Sequence, residues 1–126
     1  MSVLTQPPTM GDVLKYELNP NFTRETVTLL AGTNYRVGAV LGRITASGKL
    51  KLSTATGSDG AQNAAAVLLY ATDATAADAT GIVVVRGPAI VSKAALVFDA
   101  SVDDAAKTAA KHAQLTTLGI IPRDAA

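Results

Sequence analysis

The stretch ADATGIVVVRGPAIV, residues 77–91, holds the clearest structural signal in this chain. A polar run stops at Gly81, four β-branched residues follow from Ile82 to Val85, and Arg86-Gly87-Pro88 turns the chain into Ala89-Ile90-Val91. An apolar run of this length and β-branched content predicts a core strand. The Gly-Pro pair marks a turn into another strand.

On either side of this stretch the pattern stays β. Upstream, Ala64 to Ala71 reads as a buried strand, because Val67, Leu68, Leu69 and Tyr70 leave no polar position facing solvent. The intervening TDATAADAT, residues 72–80, repeats Asp-Ala-Thr and is expected to be a surface connection. Residues 37–53, VGAVLGRITASGKLKLS, predict a hairpin: strand from Ala39 to Thr45, turn at Ala46-Ser47-Gly48, strand from Lys49 to Ser53. TATGSDGAQN, residues 54–63, is a loop, and ETVTLLAG, residues 25–32, alternates as a strand.

Downstream, one helix is expected. Ser101 with Asp104 three residues on forms a capping-box pattern, and Asp103 and Asp104 suit the positive end of a helix dipole. Val102, Ala105, Ala106, Ala109 and Ala113 make an apolar stripe at helical spacing, expected to lie against the sheet. Gly119 is the expected terminator, with Pro122 beyond it. The first 24 residues read as an extended arm, because Pro7-Pro8 and Asn19-Pro20-Asn21 interrupt regular structure around one short strand-like segment, GDVLKYEL. The predicted fold class is therefore α+β: a small, mostly antiparallel β-sheet or open barrel with one C-terminal helix, arm 1–24 and compact domain 25–126.

Composition narrows the function classes. Eleven Lys and Arg against ten Asp and Glu give a formal net charge of +1 with no basic cluster, which argues against nucleic acid as a partner. Without Cys there is no disulfide framework or thiolate metal site. No run approaches a membrane span, and the N-terminus lacks a secretory pattern, so a soluble protein kept in its compartment of synthesis is expected. Aromatics are only 4% of the chain, a thin supply for a core of this size. Burial between subunits is the natural supplement.

The stretches that might carry chemistry do not assemble a site. GRITASGKL, residues 42–50, has the wrong glycine spacing for a phosphate loop and Leu50 where a hydroxyl is needed. His112 is the only imidazole and has no evident nucleophile or orienting partner, so a solvated position is expected. Asp103 and Asp104 are adjacent on a helix and cannot flank one bond. Asp73 and Asp78 lack a calcium-loop pattern and read as turn residues. No catalytic, metal-binding or cofactor-binding residues are expected.

TRETVTLLAG (23–32), VGAVLGRITASGKL (37–50), DGAQNAAAVLLYATDATAADAT (59–80), VVVRGPAIV (83–91) and LTTLGIIPR (115–123) occur in that order. Together they resemble the lambda-type head decoration proteins of tailed phages over about residues 23–123, while the first 22 residues carry no shared motif. The resemblance implies a capsid-stabilising cement protein and not an enzyme. It implies a homotrimer on the outer surface of the expanded head, at threefold and quasi-threefold positions, with the major capsid protein as partner. It also implies a virion location, after assembly in the host cytoplasm. The family's arms order on the shell by adding a strand, a role that would fall to Asp12, Val13, Leu14, Lys15, Tyr16, Glu17 and Leu18. The alternative is a capsid-surface carbohydrate- or host-binding β module, for which Tyr35 and Tyr70 are the available aromatics. A small hydrolase is disfavoured by the missing nucleophile and base.

Overall fold

The computed structural model describes residues 10–124. Residues Ala79–Val84 form strand β8, which pairs antiparallel with β2 (Arg24–Leu29) over six positions, from Arg24 opposite Val84 to Leu29 opposite Ala79. With β4 (Val40–Arg43), β5 (Leu50–Leu52) and β6 (Ala64–Leu68) these strands close a five-stranded ring in the order β2-β5-β4-β6-β8. All its pairings are antiparallel except β2–β5, which closes the ring through Leu29 opposite Leu50. The hairpin expected over residues 39–53 is present as β4 and β5.

The ring has a filled interior and a covered outer wall. Inside, Val27, Leu29, Leu41, Leu50, Leu68 and Val83 form one core cluster. Outside, Val40, Val67 and Val84 pack with Val13, Val91, Leu115 and Ile120 in a second one. Side chains alternate across a strand, so Val83 faces one core and Val84 the other. That double burial explains the unbroken apolar run in the sequence. Ile82 departs from it, at 39% exposed.

The second layer is a three-stranded sheet in the order β1-β9-β10, built from β1 (Leu14–Glu17), β9 (Ala89–Ser92) and β10 (Ile120–Arg123). β10 runs parallel to β9, a pairing that requires a long crossover. A 3-10 turn at Lys93–Ala95 and helix α3 (Ala105–Thr117) lie within that crossover. The ring and this layer meet at Gly87, whose N–H donates to Leu118 O at 2.9 Å. A Cβ on Gly87 would overlap the carbonyl oxygen of Gly119.

Several expectations need correction. The helix is capped by Asp104, whose carboxylate accepts from Lys107 N at 2.8 Å. Ser101 lies outside the helix, its hydroxyl donating to Asp99 and accepting from Ala55 N. The alanine stripe faces solvent at Ala105, Ala106, Ala109 and Ala113, while the buried helical residues are Lys111 and Leu115. These alanines lie on the side of the helix opposite Lys111 and Leu115, and Leu115 is the residue that packs against the ring's outer wall. Residues 72–80 are more than a connection: β7 (Thr72–Ala74) pairs antiparallel with β3 (Thr33–Tyr35). β6 ends at Leu68, and Tyr70 is exposed.

The largest correction concerns the N-terminus. A helical turn, α1 (Met10–Val13), leads into β1, which pairs antiparallel with β9 of the same chain. A second turn, α2 (Pro20–Thr23), comes after it. Pro20 occupies the first helical position, where no N–H is needed, and Asn19 caps the turn by accepting from Asn21 N at 2.9 Å. Val13 is fully buried in the outer core. The proline-bearing segment therefore starts a turn, and residues 10–24 belong to the compact unit. Residues 1–9 of the expected arm lie outside the described residues.

Candidate association surface

β1 lies at the edge of its sheet, with β9 as its one strand partner among the described residues. Such an edge presents unpaired backbone groups to any strand that approaches it. The seven residues assigned from the resemblance divide by environment. Val13 is buried, Leu14 partly buried, and Asp12, Lys15, Tyr16 and Leu18 exposed. Lys15 Nζ donates to Gly11 O at 2.9 Å. Glu17 accepts from Thr23 Oγ1 at 2.6 Å and forms an ion pair with Arg24. Burial pushes the Glu17 carboxyl up, but the hydrogen bonds from Arg24 and Thr23 outweigh it and hold the group below its usual range.

Several large apolar side chains are exposed. Among the described residues Tyr16, Leu18, Phe22, Tyr70 and Ile82 are the exposed large hydrophobics, Leu18 the most open at 58%. Tyr70 interacts electrostatically with Arg24, which also holds Glu17. Ile82 stands opposite Thr26, two residues from Arg24 on β2. Phe22 lies under Arg86, whose guanidinium carbon is 5.4 Å from the ring centroid and which also pairs with Glu25 at 2.6 Å. Backbone pairing from Leu18 N to Pro88 O at 3.0 Å ties the end of β1 to the same region. Exposed apolar side chains beside internally paired charges suit protein association, because little charge must be stripped of water without a partner.

Tyr16 and Leu18 are among the residues assigned from the resemblance, whereas Phe22, Tyr70 and Ile82 are not. Ile82 looked like core because it sits in an apolar run, and Tyr70 because it ends one.

The chemistry-bearing side chains remain scattered. His112 is half-buried against Phe98, with ring centroids 5.9 Å apart, and its Nε2 is buried with no hydrogen-bond partner. That corrects the solvated position expected for it. Burial and then Lys93 push its imidazole below the ordinary value, with Asp124 opposing. Asp73 accepts from Thr75 N at 3.0 Å, and Asp78 accepts from Ala31 N at 2.8 Å while pairing with Lys49 at 2.6 Å; both act as turn and loop ties. Among the described residues no group of three or more His, Cys, Asp or Glu could hold a metal ion, and no helix is long and apolar enough to cross a membrane. A groove of about 710 Å³ runs between Asp12, Arg36 and the turn at Lys93–Ala95. Tyr35, half of the aromatic pair expected for a sugar face, is buried beside it, its hydroxyl donating to Leu30 O at 2.7 Å.

The described residues thus form a two-layered β unit with an open strand edge and scattered titratable groups. The chain belongs to the family described as bacteriophage lambda head decoration protein D, whose family model matches residues 3–120. Membership assigns it to the structural proteins of the phage capsid. The match begins twenty residues before the first motif visible by eye and takes in β1 and both N-terminal turns. No curated protein matches the chain.

Proposed function

We propose that this protein binds the outer surface of the expanded phage head as a homotrimer, at threefold and quasi-threefold positions. There it bridges copies of the major capsid protein and stabilises the shell, having assembled in the host cytoplasm. Family membership supports the head as its site of action. The observation that carries the rest is the open edge of β1 with Tyr16 and Leu18 exposed beside it. A strand added to that edge gains main-chain hydrogen bonds, and the flanking side chains supply specificity.

Residues 12–18 on this reading contact the shell while remaining part of their own subunit. Detaching them would expose Val13 and break the β1–β9 pairing. Phe22, Tyr70 and Ile82 supply apolar area for contact between protomers, in a closed symmetry that does not grow into fibres. Three weak shell contacts on one trimer act together at high effective concentration. A protein that binds only the expanded lattice stabilises that lattice by linkage.

Cosedimentation with undecorated expanded heads tests the proposal. The unaltered protein is expected to bind, and a Tyr16→Ala, Leu18→Asp double variant to lose binding with its fold intact, since both positions are exposed. Failure of the unaltered protein to bind would refute decoration of the expanded shell. Full binding by the variant would refute the role of the β1 edge, and a monomer at every concentration in sedimentation equilibrium would refute the trimer.

A further inference from the structure

Lys111 is 2% exposed, and its ammonium meets four oxygens, none from a carboxylate. Its Nζ donates to Thr54 O at 2.6 Å, Gln62 O at 2.5 Å and Ser53 Oγ at 3.0 Å, with Gln114 Oε1 farther off at 3.4 Å. Ser53 Oγ can accept because its own proton goes to Ala61 O at 2.7 Å. Gln114 Oε1 is held in place by Ala64 N at 2.7 Å. Three N–H donors are thus matched by three close acceptors.

Those acceptors have a particular placement. β5 ends at Leu52 and β6 begins at Ala64, so residues 53–63 form one irregular loop. Ser53 and Thr54 lie at its start and Gln62 near its end, and all three converge on a single nitrogen from α3. A buried charge is costly unless hydrogen bonds satisfy it, and a loop carbonyl buried without a donor is costly too. Each side of this contact therefore answers the other's deficit.

We propose that the oxygen cage is an ammonium-binding site filled by the chain itself, and that Lys111 acts there as a tethered cation that clasps the two ends of the 53–63 loop to α3. The class of ligand that suits the cage is a small primary ammonium. Lysine carries it on a stem whose outer three carbons and nitrogen are equivalent to propylammonium.

Hydrogen exchange on Lys111→Ala tests this. Loop amides over residues 54–63 should exchange at least about tenfold faster than in the unaltered protein, a change equivalent to losing one hydrogen bond to a charged group. Propylammonium chloride in millimolar excess should reverse the change, while sodium chloride and tetrapropylammonium chloride should not. Unchanged loop exchange, acceleration spread evenly over the ring strands, or equal rescue by all three salts would overturn the proposal. Should Lys111→Ala fail to fold, the side-chain ammonium protons of the unaltered protein decide by nuclear magnetic resonance. Those of Lys111 should exchange at least about tenfold more slowly than those of partly exposed Lys107, and equal rates would overturn the clasp.

Discussion

Val13→Ala distinguishes a detachable N-terminal arm from a folded one. Val13 is fully buried and packs in the cluster that contains Val91, Leu115 and Ile120. The substitution removes two buried methyl groups, a loss of about 1.6 kcal/mol at roughly 0.8 kcal/mol per group. A cavity between the ring and the second sheet adds to that, so about 2 kcal/mol is expected. Urea denaturation monitored by circular dichroism, at one fixed protein concentration so that association does not alter the comparison, measures the difference. The midpoint should fall by about 1 M with an unchanged slope, taking a slope of about 2 kcal/mol per M. Leu18→Ala is the control: exposed on the same segment, it should change stability by less than about 0.5 kcal/mol. A Val13→Ala midpoint equal to that of the unaltered protein would refute the packing of residues 10–18 onto their own subunit.

Val84→Asp places a carboxylate in the outer core, where Val84 is fully buried, and should cost at least about 3 kcal/mol in the same assay. Stability near that of the unaltered protein would show that Val84 does not face a core. Stability should also depend on pH in two stages. The folded state lowers the affinity of His112 for a proton from its ordinary 6.5, so its contribution is complete above that value and is lost as pH falls through the folded pKa. Glu17 is also depressed, from an ordinary 4.5, so its contribution is complete above 4.5 and is lost as pH falls through its folded value. Denaturation midpoints should therefore decline in both windows, with the upper stage absent in His112→Gln. A flat profile between about pH 7.5 and pH 5 would contradict the burial of the His112 Nε2 without a hydrogen-bond partner.

Features held by near neighbours were legible in the sequence. The β4–β5 hairpin needs only a short turn between two strands. The helix declares itself through Asp103 and Asp104 at one end and Gly119 at the other, although its cap lies three residues beyond Ser101. The run from Ile82 to Val85 announced a core strand, and two of its valines proved to line different cores. Pro20 misled because a proline that blocks a strand can also open a helical turn, and the choice depends on the contacts its neighbours make across the fold.

Amino-acid order alone was enough to locate the strand segments of the ring, the C-terminal helix and a chain with few groups able to do chemistry. Those features rest on backbone preference and side-chain type, which act over a few residues. Long-range packing settled that β1 closes onto β9, that α3 turns its alanines outward and Lys111 inward, and that Tyr70 and Ile82 are exposed. Burial is set by whatever packs above a residue, and here the neighbours arrive from segments 50 or more positions away, as Lys111 meeting Ser53 illustrates.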